Sequence, residues 1–278
     1  MISFEGVFYP VLVMGTLGLA FGALLAFASI KFFVAVDPRV GLIREILPGA
    51  NCGGCGYPGC DGYADGIVNE GAKTNLCAAG GTALAEGIAS IMGVDSEGSI
   101  PLRAFLKCKG KAEFSARNAI YEGIKDCRSA AILPGGSPNA CPFGCMGFGT
   151  CVKVCVFGAL SIEDGLVSVD PLKCVGCGTC VATCPKSVLT LIPKESFVHV
   201  TCNSTWRGPD VKKVCSVGCI GCGLCARVCP ENAIKIEKNL ASVDGTKCTA
   251  CGACVAKCPT KSIDFILSSK QSEEKESA

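Results

Sequence analysis

Eight cysteines between residues 141 and 184 recur at one displacement of 74 positions. Cys141, Cys145, Cys151, Cys155, Cys174, Cys177, Cys180 and Cys184 are answered by Cys215, Cys219, Cys225, Cys229, Cys248, Cys251, Cys254 and Cys258. One offset shared by eight residues of one type marks a duplicated unit. The spacing inside the copies restricts the fold further. Cys174-x2-Cys177-x2-Cys180-x3-Cys184-Pro185 places three thiolates on a tight loop, where they grip three irons of a cubane. The fourth follows a helical turn, precedes a proline and reaches the neighbouring cluster. Cys219, Cys222, Cys225 and Cys229-Pro230 repeat the run, as do Cys248, Cys251, Cys254 and Cys258-Pro259.

Crossed ligation follows. In the second copy one 4Fe–4S cluster takes Cys219, Cys222, Cys225 and Cys258, and the other takes Cys248, Cys251, Cys254 and Cys229. The alternating stretch from Ala233 to Val243 between the runs reads as a hairpin. The first copy departs twice: Phe148 stands where the second copy has Cys222, and Val156 where it has Pro230. Its expected sets are Cys155, Cys174, Cys177 and Cys180, and then Cys141, Cys145, Cys151 and Cys184, with Cys141 replacing the missing ligand. Cys141 has a counterpart, Cys215, in a copy whose ligand set is already full, so another role for it stays open.

Cysteine makes up 24 of 278 residues, a density otherwise typical of small disulfide scaffolds. The length argues against that class, and so does the amino terminus. Residues 7–30 carry no charge and are long enough for a helix to cross a hydrocarbon core of roughly 30 Å. Ala26-Phe27-Ala28 resembles a signal-peptide cleavage site, but the only charge ahead of the run is Glu5 and the run is too long, so an uncleaved anchor is expected. Gly18 and Gly22 form a small-xxx-small pair that admits a neighbouring helix. Pro10 falls in the first turns, where it costs little. Lys31, Arg39 and Arg44 follow the run, which puts the amino terminus outside and the cysteines in the reducing cytoplasm.

Cys52-x2-Cys55-x4-Cys60, with Cys77, forms a separate set among Gly53, Gly54, Gly56 and Gly59. These glycines let the backbone curl round an anion, so a further 4Fe–4S site is expected, with zinc as the competing occupant of the C-x2-C spacing. Ala-rich segments at 61–72 and 80–93 read as helices. Cys108, Cys127, Cys202 and Cys215 are left over; they are further ligands or buried small hydrophobes, and Cys127 and Cys202, each just upstream of a copy, lean toward ligands. His199, the single histidine, reads as a strand-surface or core residue, and Trp206 as packing or docking surface.

The expected fold is α+β: one transmembrane helix, a small four-cysteine domain and two tandem bacterial 2(4Fe–4S) ferredoxin-like modules. The divisions are 1–36 for the anchor, 37–100 for the four-cysteine domain and 101–135 for a connecting stretch without a fold signal of its own. The modules take 136–195 and 196–267, and 268–278 is a solvated tail. A net charge of +2 signals no nucleic-acid partner, and no G-x-G-x-x-G follows a strand, so a dinucleotide site is not expected. No catalytic nucleophile–base set is legible either. Residues 136–267 hold 13 Lys and Arg against 9 Asp and Glu, a mildly basic surface suited to an acidic donor or simply solvated.

Asn51-Cys52-Gly-Gly-Cys55-Gly-Tyr-Pro-Gly-Cys60, Asn75-Leu-Cys77 and Cys141-Pro-Phe-Gly-Cys145-Met-Gly-Phe-Gly-Thr-Cys151 resemble the B subunit of Rnf electron-transport complexes over nearly the whole chain. The resemblance implies a component of a ferredoxin:NAD+ oxidoreductase that couples electron flow to Na+ or H+ transport in a bacterial or archaeal cytoplasmic membrane. It implies reduced ferredoxin as donor, the other complex subunits as partners, and NAD and flavin chemistry held elsewhere. At least five 4Fe–4S clusters are expected, with a sixth open for the remaining four thiols. A membrane-tethered reductant of a redox-sensing regulator, and a module holding redox-inert metal, are the competing readings.

Overall fold

The computed structural model describes residues 4–32, 37–98, 100–132 and 134–266. The expected tail lies outside them, as does the side chain of Pro10. Helix α1 (Phe4–Lys31) contains the stretch Val11–Lys31, long and apolar enough to cross a membrane, and no part of that stretch is buried against the protein. A helix whose whole circumference is apolar and uncovered has lipid or a partner helix as its natural environment.

Three helices build the four-cysteine domain: α2 (Pro38–Ile46), α3 (Cys60–Asn69) and α4 (Gly81–Met92). Asp37 caps α2 by accepting the Arg39 amide, and Pro38 opens the helix where its missing N–H costs nothing. Ile43, Tyr63, Ile67 and Ile88 are 0–1 % exposed and form the core of this domain. Each contributes roughly 1.5–3 kcal/mol by burial, which a domain this small needs.

The rest of the chain consists of four two-stranded antiparallel sheets and short helices. In the first module β1 (Leu102–Leu106) pairs with β4 (Leu189–Pro193), and β2 (Leu160–Glu163) with β3 (Leu166–Val169). Helices α5 (Cys127–Ala130), α6 (Thr150–Lys153) and α7 (Thr179–Thr183) carry or follow the cysteine loops. The second module repeats the plan: β5 (Val198–Val200) pairs with β8 (Ile263–Phe265), and β6 (Ile234–Glu237) with β7 (Leu240–Val243). Its helices are α8 (Gly208–Val214), α9 (Leu224–Arg227) and α10 (Ala253–Lys257).

The β6–β7 pair is the hairpin anticipated between Ala233 and Val243. Its loop residues Lys238 and Asn239 both have positive φ, and so do Asp164 and Gly165 in the β2–β3 hairpin. Two left-handed residues in sequence give the loop twist that matches the strands. One expectation fails: 101–135 is not a mere connection. Leu102 to Leu106 supplies the outer strand of the first module, in register with Pro193 to Leu189, as Val198 to Val200 does for the second. Five residues whose partner lies far along the chain leave no local signal.

Each module's core is built round its own cysteines. Cys145, Cys151, Cys174 and Cys180 are buried with Val188 and Leu189 in the first, and Cys219, Cys225 and Cys254 with Val198 and Ile263 in the second.

Candidate metal centres

In the four-cysteine domain Cys52, Cys55, Cys60 and Cys77 line one cavity. Two side chains position them. Asn51, itself at φ 47°, accepts the Cys60 amide on Oδ1 at 2.8 Å. The buried Tyr63 hydroxyl donates to the Lys73 carbonyl at 2.8 Å and accepts the Leu76 amide at 3.1 Å, which fixes the loop that ends in Cys77. Burial pushes the Tyr63 phenol up to about 12, so it stays neutral in this role.

Cys177 of the first module lines the same cavity. The Thr179 hydroxyl donates to the Cys52 carbonyl at 3.1 Å. A Cβ on Gly54 would collide with the Cys177 carbonyl oxygen and stand 2.9 Å from the Cys177 Cβ, so only glycine permits this approach. The four-cysteine domain is therefore seated directly on one ligand set of the first module.

In that set Cys180 has Cys177, Cys174 and Cys155 as its charged neighbours, the combination expected. Backbone amides point at the sulfurs: Ala104 N–H reaches Cys174 Sγ at 3.3 Å and Ala159 N–H reaches Cys155 Sγ at 3.4 Å. The second module gathers Cys219, Cys222 and Cys258 round Cys225, and Cys248 and Cys251 beside Cys254, with Cys229 packed on the same core. Ala233 N–H donates to Cys229 Sγ at 3.4 Å, repeating the contact at Cys155.

The remaining set differs from expectation. Cys127, Cys145, Cys151 and Cys184 line one cavity, and Cys141 is not part of it. The cause is a hydrogen-bonded clamp. Asp126 caps α5 by accepting the Arg128 and Ser129 amides. Its other oxygen accepts the Thr150 hydroxyl at 2.8 Å, and that hydroxyl in turn accepts the Cys127 amide at 2.6 Å. These bonds hold the Asp126 carboxyl below the ordinary carboxylate range, the Ser129 amide foremost and the Thr150 hydroxyl next. Cys127 is thus the fourth cysteine of this cavity, and it comes from the segment that separates β1 from Cys141. Cys141 instead lines a different cavity, together with Cys108, Cys202 and Cys215.

Burial pushes several thiols well up: Cys145, Cys180, Cys202 and Cys225 to about 11 and Cys151 to about 12. Such thiols lose their protons only to a bound cation. At Cys258 burial also raises the value, but the hydroxyl and amide of Ser262, with those of Thr260, outweigh it and hold the thiol below its ordinary range. A single zinc would draw four sulfurs to about 2.3 Å of one centre. A cubane spreads its four thiolates over four irons and accepts amide donors at sulfur, which is the arrangement these loops offer.

His199 lies in β5 with its ring 4.9 Å from that of Phe105, and burial lowers its pKa. It is a packed strand residue with no thiol set round it. Trp206 meets Phe143 edge-on at 5.7 Å, where the two modules touch.

Comparison with known proteins finds iron–sulfur families along the chain. A family model described as a putative Fe-S cluster matches residues 47–79. Two models, each described as a 4Fe-4S dicluster domain, match 173–234 and 218–262. The first of these joins runs that are consecutive in sequence but belong to different modules by strand pairing. The chain is 50% identical over 234 residues to the B subunit of the proton-translocating ferredoxin:NAD(+) oxidoreductase complex of Clostridium ljungdahlii, covering 84% of this chain and 82% of that one. It is 45% identical to the Na(+)-translocating counterpart of Acetobacterium woodii, covering 87% and 73% of the two chains. With the B subunit of the ion-translocating oxidoreductase complex of Methanosarcina acetivorans the identity is 44% over 84% and 89%.

Proposed function

The chain belongs to the B-subunit family of ion-translocating ferredoxin:NAD(+) oxidoreductase complexes, and from that premise we propose that it takes electrons from reduced ferredoxin at its second module and delivers them through the four-cysteine domain to the membrane subunits. It is an iron–sulfur electron-transfer subunit of such a complex. When bound, 4Fe–4S clusters supply one-electron transfer without bond making. The ligand sets are Cys52, Cys55, Cys60 and Cys77; Cys155, Cys174, Cys177 and Cys180; Cys127, Cys145, Cys151 and Cys184; Cys219, Cys222, Cys225 and Cys258; and Cys229, Cys248, Cys251 and Cys254.

The observation that carries the direction is an asymmetry between the copies. Cys222 and Cys251 are exposed, whereas Cys177, the counterpart of Cys251, is covered by the Cys52 loop. One end of the chain of ligand sets is open to a soluble donor, and the other is closed by the domain that follows the membrane helix. The basic flank of α1, Lys31 with Arg39 and Arg44, supports a cytoplasmic position for the cluster domains. The proposed domains are 37–100, 101–195 and 196–267, a division that the β1–β4 and β5–β8 pairings support.

Anaerobic mixing of the full-length, cluster-loaded protein with reduced ferredoxin tests the reading. Its visible absorbance is expected to bleach. Bleaching by dithionite but not by ferredoxin would refute donor and direction, and would fit instead a membrane-tethered reductant of a redox sensor.

A further inference from the structure

Four thiols stand outside the five sets, and they occupy matched places in the two modules. Cys108 follows β1 by two residues, as Cys202 follows β5; Cys141 precedes Cys145 by four, as Cys215 precedes Cys219. Each module contributes one such pair, and all four side chains line a single cavity between the modules.

Their hydrogen bonding is matched as well. The Cys145 amide donates to Cys108 Sγ at 3.4 Å, and the Cys219 amide faces the Cys202 sulfur. The amides of Phe143 and Gly144 turn toward Cys141, and those of Val217 and Gly218 toward Cys215. Amide donors aimed at four convergent sulfurs stabilise thiolates that ligate a metal cluster.

The surrounding interface is built rather than incidental. Ala116 N–H bonds the Val214 carbonyl at 3.0 Å and Ser216 N–H bonds the Phe114 carbonyl at 2.9 Å, on either side of Cys215. Lys109 pairs with Asp264 of β8 at 2.6 Å, and Phe143 abuts Trp206. The cavity holds Lys107 and Lys109 and no carboxylate or imidazole, which suits an anionic cluster.

We propose that Cys108, Cys141, Cys202 and Cys215 together hold a further 4Fe–4S cluster at the junction of the two modules, a site that neither module completes alone. The proposal rests on the iron–sulfur reading of the other sets. It accounts for the two copies being held at one fixed orientation. Cys145 and Cys219, whose amides serve this site, are themselves ligands in the first and second modules, so a cluster here stands between the two. One electron enters it and the same electron leaves, with no bond or proton changed.

Iron, sulfide and zinc analysis of the full chain, anaerobically loaded, tests this. The native chain is expected to hold about 24 irons and no zinc. The pair of substitutions Cys108→Ala and Cys202→Ala, and separately Cys141→Ala and Cys215→Ala, should each leave about 20 irons, all still in cubanes, because each pair removes one site. After mixing with reduced ferredoxin the second module should still reduce, while reduction of the four-cysteine domain slows at least about tenfold. A native chain with about 20 irons, or with one zinc that either double variant loses, overturns the proposal even if a variant fails to fold. Those results leave the relay reading standing, since that reading fails only if ferredoxin does not reduce the protein at all.

Discussion

The clamp at Cys127 predicts the behaviour of a single methyl-for-hydroxyl exchange. Thr150 is 8 % exposed, and its hydroxyl joins the Asp126 carboxylate to the Cys127 amide. Thr150→Val keeps the shape and removes both bonds, which strands the Cys127 amide. Leaving such a donor unsatisfied costs about 1–3 kcal/mol. At about 1.4 kcal/mol per tenfold, the cluster held by Cys127, Cys145, Cys151 and Cys184 should bind roughly five- to 150-fold more weakly. Graded competition with an iron chelator reads this directly: about four irons per chain should leave ahead of the rest, and Thr150→Ser should restore the native profile. Cys127→Ala should lose the same four irons without chelator, and Cys141→Ala should retain them. If Thr150→Val releases iron as the native protein does, or if Cys141→Ala empties the site and Cys127→Ala does not, the revised ligand set is wrong.

Other positions give sharp outcomes. Gly54→Val should wedge the four-cysteine domain off Cys177 and halt its reduction by the first module while leaving the iron content unchanged; normal transfer in stopped-flow absorbance would contradict the close approach. Ser262→Ala removes a hydroxyl 3.4 Å from Cys258 Sγ, so the cluster of Cys219, Cys222, Cys225 and Cys258 should shift to lower potential. For a bond of about 1 kcal/mol the shift is on the order of 40 mV, and an unchanged potential in an EPR titration would refute the contribution. His199 has its pKa lowered by burial, so folding favours its neutral form; the stability tied to that form is present above 6.5, its ordinary value, and is lost as the pH falls from there through the lower folded value. NMR of this single histidine should show a value below 6.5, and His199→Leu should weaken the loss of stability in acid.

Much of the architecture is legible because cysteine spacing and apolar periodicity are local. The 74-residue offset identifies both modules, the apolar run marks α1, and the Ala-rich stretches become α3 and α4. What escapes is long-range. Leu102 to Leu106 is a strand only because residues 189–193 lie beside it, and no property of the pentapeptide says so. Cys127 joins the cavity of Cys145, Cys151 and Cys184 only because Asp126 and Thr150 tie it to the start of α6. A signal was present: the first module lacks one cysteine at Phe148 and has a longer segment between Cys108 and Cys141 than the second has between Cys202 and Cys215, with Cys127 inside it. Tyr63 and Asn51 were equally hidden, since an aromatic on an Ala-rich helix and an asparagine beside a cysteine acquire their roles from the folded loop alone.

Mössbauer spectroscopy of the full-length protein loaded with 57Fe, before and after anaerobic mixing with reduced ferredoxin, reads both the cluster type and its reduction by the donor. The iron should be entirely in oxidised four-iron clusters at first and partly in reduced ones afterwards. Mononuclear iron, or four-iron clusters that ferredoxin leaves oxidised, would contradict the proposed function.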